Sequence, residues 1–176
     1  IPEEWLSSTR SYLQNLKKSS SSQTIFINYL AKDPKRSWEV TQALDLVRLM
    51  QQESAYQNAT FIINTLPDLI DSLNQQIQQY SLTNCYAYSA VDNFYQLPAM
   101  LKLSDLIISV ETSIMHLANA VKTPVIALMR QRTPEWYPLD LDNSYIIWVN
   151  NKKGSIKDIS PSTVMSTINS TVNTVQ

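Results

Sequence analysis

The residues of this 176-residue chain best suited to chemistry lie at 110–116 (VETSIMH), where an apolar run meets an acid, two hydroxyls and the chain's one histidine. A strand ending at Val110 and a helix starting beyond Thr112 would leave the helix's first N–H groups unpaired and its positive dipole end facing outward. That arrangement attracts anions in any sequence. Thr112 and Ser113 have two uses there, capping the helix or hydrogen-bonding a phosphate, and spacing alone does not separate them. Glu111, acceptor-only when ionised, suits the hydroxyls of a sugar or ribose. His116 reads equally as a ligand contact or a packing residue, and it has no second histidine with which to share a metal.

A second loaded stretch is 28–38 (NYLAKDPKRSW), where an apolar run breaks into a polar, cationic loop ahead of a helix. Lys32, Lys35 and Arg36 fall at a helix N-terminus, where the dipole disfavours cations. They serve either an anionic ligand or solvent. Trp38 beside them is by type a core residue more often than a ligand platform.

Both stretches need a frame, and the chain supplies one. Short, continuous apolar runs at 24–30, 60–64, 85–89, 106–110, 124–129 and 145–149 read as strands covered on both faces. Between them Val40, Ala43, Leu44, Val47 and Met50, and again Leu69, Leu73, Ile77 and Tyr80, recur at helical spacing. Six βα units of this kind predict an α/β, Rossmann-like three-layer domain on a six-stranded parallel sheet. In such sheets ligands settle outside the carboxyl ends of the strands, where the strand order reverses, so both chemical stretches fall at βα turns. Ser160 and Pro161 open a closing helix with Val164, Ile168, Val172 and Val175 as its stripe. A helix over 3–16 and the serine-rich linker behind it make 1–23 a lead-in to a domain over 24–176.

Composition narrows the chemistry. The chain has one glycine, Gly154, against about 7% in ordinary domains, which excludes the glycine-rich phosphate loops of P-loop and dinucleotide-binding proteins. Its net charge of −1 and 16% charged residues point to no polyanionic partner and no nucleic acid. Cys85, alone in an apolar run, reads as a small buried side chain. No apolar run approaches the roughly 20 residues of a membrane span, and the start IPEEWLSSTR lacks the regions of a signal peptide, so a cytoplasmic location is expected.

At these same residues the sequence resembles glycosyltransferase family 9, the heptosyltransferase-like enzymes of bacterial surface glycans, over nearly its whole length. The resemblance rests on VETSIMHLANAVKTPVIALM followed by TPEWYPL, and on the first strand with its basic-x-Trp element Arg36, Ser37 and Trp38. It implies a GT-B fold of which this chain matches the C-terminal, nucleotide-sugar-binding half. An N-terminal acceptor-binding domain would supply the catalytic base, and the acceptor would be a glycan or lipid-linked glycan at the inner face of the membrane.

By the same resemblance Glu111 meets the donor sugar, Thr112 and Ser113 form the diphosphate turn, and His116 lies beside it. Arg36, with Lys35 as the alternative, offsets the leaving diphosphate's charge. The base ring would lie between the stretch holding Phe94 and the end of the second strand, where Asn64 and Asp68 meet ribose. The implied donor is a nucleotide diphosphate sugar such as ADP-heptose, with no metal and no further cofactor.

Two positions depart from the family pattern. Ser113 stands where glycine is usual, and Glu111 where aspartate is usual. A degenerate domain kept as a binding or assembly module is therefore the competing reading. A receiver domain is not, because no acidic cluster ends the first strand.

Overall fold

A computed structural model describes residues 1–17, 22–130, 132–151 and 153–172. Six strands form one sheet: β1 Thr24–Asn28, β2 Thr60–Asn64, β3 Cys85–Tyr88, β4 Leu106–Val110, β5 Val125–Met129 and β6 Ser144–Trp148. Every pairing is parallel and the order is β3-β2-β1-β4-β5-β6. The direction of strand progression therefore reverses between β1 and β4, the two strands that lead into the chemical stretches.

The strands are short, mostly apolar runs, and the central ones have no face for solvent. β1, β4 and β5 are buried at every position. One face, carrying Ile25, Ile27, Phe61 and Ile108, is covered by α2 Val40–Gln52, α3 Ile70–Gln79 and α6 Pro161–Val172. The other, carrying Phe26, Ile62 and Ile107, is covered by α1 Glu3–Leu16, α4 Gln96–Lys102 and α5 Ser113–Val121. Side chains of this kind, fully buried, contribute about 1.5–3 kcal/mol each, so the three-layer packing is the main source of stability.

Most sequence expectations hold in detail, and the differences have local causes. β1 stops at Asn28 rather than 30, because the Asn28 amide turns back onto Leu30 O (3.1 Å) and the chain leaves the sheet. β3 ends at Tyr88 and β6 spans Ser144–Trp148, each a residue off. α4 carries no helical stripe in sequence because Pro98, Ala99, Met100 and Leu101 are all buried. Helix α1, expected as a lead-in, lies against α4, with Leu13 buried and the Tyr12 ring 6.0 Å from that of Tyr88. Ser160 caps α6 as expected, accepting from Thr163 N at 3.1 Å. In the predicted stripe Val164 and Ile168 are buried, and Val175 lies outside the described residues.

Scarcity of glycine is met by other residues. Ser81, Asn84 and Lys122 take left-handed backbone with φ of 55°, 52° and 62°. Gly154 itself cannot be replaced so easily, because a Cβ there would lie 2.7 Å from Val149 Cγ1 and 2.9 Å from Asn151 O. Cys85 is buried, and desolvation pushes its thiol up to about 12, consistent with a packing role. Among the described residues no helix is long and apolar enough to cross a membrane.

Candidate functional site

The reversal between β1 and β4 opens into a cleft of about 790 Å³, within the size range of small-molecule sites. Its walls bring together Lys32 and Arg36 from the loop after β1, Asn64 at the end of β2, and Glu111, Thr112, Ser113 and His116 from the turn after β4. Residues far apart in sequence thus converge because the strand order puts β1 beside β4.

The turn after β4 is held by buried polar contacts. Thr112, in extended backbone, caps α5 by accepting from Ile114 N at 3.3 Å. Asn28, 3% exposed, donates to Ser109 Oγ (3.2 Å) and Thr112 Oγ1 (3.3 Å), and it accepts from Asn64 Nδ2 at 3.0 Å. Asn64, Asn28 and Ser109 are register partners across three adjacent strands, so their side chains form one row on one face of the sheet. Ser113 is exposed, and its hydroxyl makes no hydrogen bond among the described residues. It is the first residue of α5, where a free N–H and the helix dipole favour an anion.

Glu111 is 1% exposed, and its Oε2 accepts from Arg130 N at 2.8 Å, so this carboxylate ties the β4 turn to the end of β5 while bordering the cleft. His116 is half-buried on the wall.

The loop after β1 is closed at its base and cationic above it. Trp38 N donates to Tyr29 O (2.8 Å) and Ala31 N to Ser37 Oγ (2.9 Å), which brings the two ends of the loop together. Trp38 is in the core, 2% exposed, with its indole N–H on Ile159 O at 2.8 Å. The tip is a 3₁₀ turn, Pro34–Arg36, capped by Asp33, whose Oδ1 accepts from Lys35 N at 2.9 Å. Arg36 Nε lies 3.7 Å from Asp33 Oδ2. Arg36 and Lys32 border the cleft, whereas Lys35 is exposed and does not.

A model of the family described as Glycosyltransferase family 9 (heptosyltransferase) matches residues 8–165. The chain belongs to glycosyltransferase family 9. It is 41% identical over 71 residues to an Escherichia coli (strain K12) protein provisionally named lipopolysaccharide heptosyltransferase 4, a match covering 40% of this chain and 18% of that protein. The family 9 fold is shared with a glycosyl transferase family 9 structure from Veillonella parvula DSM 2008, at TM-score 0.80 and 13% identity over 97% of this chain and 52% of that one. It is shared too with E. coli ADP-heptose lps heptosyltransferase II, at TM-score 0.73 and 18% identity over 97% of this chain and 51% of that one. The chain spans about half the length of those two structures.

Within this family 9 domain two residues proposed for the base and ribose stand apart from the cleft. Asp68 is exposed on the 3₁₀ turn Pro67–Leu69, and Phe94 is 74% exposed, its ring edge-on to Tyr95 at 5.5 Å; neither lines the cavity. Sequence reasoning also missed wall residues. Asn28 enters the sequence reading only as the first residue of the stretch 28–38, and Trp136, 46% exposed on the wall, only as part of a loop motif; Ser109, fully buried behind the wall, enters only as a residue of the fourth strand. A polar residue in or closing an otherwise apolar strand was the available signal for Asn28 and Ser109. For Trp136 it was an aromatic on the loop after β5.

Proposed function

We propose that this chain is the donor-binding half of a glycosyltransferase that moves a sugar such as heptose from a nucleotide diphosphate sugar, such as ADP-heptose, to a bacterial surface glycan such as the lipopolysaccharide core. The observation that carries the reading is that one cleft, at the strand-order reversal, joins the N-terminus of α5 to the Lys32 and Arg36 loop. Both elements favour a diphosphate, and the names of the relatives supply the substrate class.

In this reading an acceptor hydroxyl oxygen attacks the anomeric carbon. The bond from that carbon to the phosphate oxygen breaks, its electron pair leaving with the nucleoside diphosphate, and the configuration inverts. Arg36, Lys32 and the free N–H groups of α5 stabilise the charge on the leaving group, a task that fixed donors perform without reorganisation and for which we assign no metal. The hydroxyl proton goes to a base on an acceptor-binding domain outside this chain, so the chain alone binds donor and transfers little. The acceptor is met at the cytoplasmic face of the membrane.

Calorimetric titration with ADP-sugars and UDP-sugars tests the reading. The expected result is millimolar-or-tighter binding of one donor, weakened about tenfold in Arg36→Ala, as losing a hydrogen bond to a charged group implies, with the melting temperature unchanged. Absence of binding defeats it. That outcome would favour a GT-B domain kept as an assembly module, a reading supported by Ser113 in place of glycine and by Glu111 holding Arg130 N.

A further inference from the structure

We infer that Asn28 is a positioning residue of the donor site: by fixing Thr112 as the cap of α5, it leaves Ser113 as the hydroxyl that meets the diphosphate. The inference rests on reading the cleft as a donor site. It concerns which of two adjacent hydroxyls does the binding, a question the sequence leaves open.

The assignment follows from counting hydrogens. Ser109 Oγ donates its one hydrogen to Val110 O at 2.8 Å. In the 3.4 Å contact between Ser109 Oγ and Thr112 Oγ1, Thr112 must therefore be the donor. Thr112 Oγ1 also accepts from Ile114 N at 3.3 Å and, at the same distance, from Asn28 Nδ2, whose two hydrogens are shared among Thr112 Oγ1, Ser109 Oγ and Leu30 O. Its hydroxyl is engaged inside the protein, with its hydrogen directed at Ser109 Oγ rather than at the cleft.

Asn28 is what holds this arrangement together. Its two amide hydrogens serve Leu30 O, Ser109 Oγ and Thr112 Oγ1, and its oxygen accepts from Asn64. With 3% of its surface exposed it cannot exchange these partners for water. It therefore links the loop that carries Lys32 and Arg36 to the first turn of α5. Ser113, one residue on, is exposed on the cleft wall with its hydroxyl uncommitted among the described residues. It can donate to a phosphate oxygen, replacing by a side-chain donor the close backbone approach that glycine would allow.

The test is titration of the chain with ADP and with UDP, paired with thermal melting of each variant. Ser113→Ala is expected to weaken the nucleotide that binds by about tenfold while leaving the melting temperature in place. Thr112→Val and Asn28→Leu are expected to lower the melting temperature by roughly 2–4 °C and to weaken the nucleotide as well. Thr112→Ser, which keeps the hydroxyl, restores both. The double variant Asn28→Leu/Thr112→Val binds no more weakly than the worse single variant, because both break one device. Should Asn28→Leu not fold, Asn28→Asp removes the donors at constant shape and is expected to weaken binding in the same direction.

Ser113→Ala binding like wild type, or Asn28 variants that melt lower yet bind unchanged, overturns the inference and leaves the donor site standing. A wild-type chain that binds neither nucleotide removes the donor site, and the inference with it.

Discussion

The two turns that face each other across the cleft are built on opposite plans. After β4 the chain enters α5 within two residues, and Thr112 there is bonded to Asn28, to Ser109 and to Ile114 N. After β1 it makes a longer loop, pinned at its base by Trp38 and Ser37, and the Lys32 and Lys35 side chains form no ion pair among the described residues. The first turn is a fixed cradle of hydrogen-bond donors. The second is a charged arm on a fixed hinge. A diphosphate leaving group would draw on both, since helix N–H donors set its position and cationic side chains neutralise its charge as it leaves.

This contrast predicts that the loop depends most on its anchor. Trp38→Ala removes a buried indole and its bond to Ile159 O, and should lower stability by about 3–5 kcal/mol in urea unfolding. Trp38→Phe should cost clearly less. If Trp38→Ala unfolds like wild type, the loop is not hinged where we place it. On the other side, Glu111→Ala removes the buried carboxylate that accepts from Arg130 N and should cost about 1–3 kcal/mol, as losing a hydrogen bond to a charged group implies. A Glu111→Ala variant of wild-type stability that loses only donor affinity would instead make Glu111 a ligand contact.

The frame of this site was legible and its wiring was not, for a physical reason. Strands buried on both faces appear in sequence as unbroken apolar runs, so β2 and β4 were bounded to the residue. Helix α4 escaped because a short helix with four consecutive buried residues, Pro98 to Leu101, alternates no polar face with them to set a period. The row Asn64, Asn28, Ser109 could not be seen at all. Its members are 36 and 81 residues apart, and they meet only because β1 lies between β2 and β4. Spacing likewise could not choose between Lys35 and Arg36. The 3₁₀ turn Pro34–Arg36 brings Arg36 to the cleft and leaves Lys35 exposed outside it.

The smallest expected effects are the sharpest test of the charged arm. Lys32 borders the cleft without an ion pair among the described residues, so its contribution to a diphosphate is a screened Coulomb attraction rather than a fitted bond. Lys32→Ala should weaken ADP roughly threefold at low ionic strength, and the difference from wild type should shrink as salt is raised. Lys35→Ala, which changes a side chain outside the cleft, should bind within about twofold of wild type at every salt concentration. Neither should alter unfolding by more than about 0.5 kcal/mol, since both side chains are exposed. Titrations of ADP into the three proteins at two salt concentrations separate the cases. Equal losses in Lys32→Ala and Lys35→Ala would mean that the loop attracts the nucleotide as a diffuse patch and that the 3₁₀ turn selects no cation for the site.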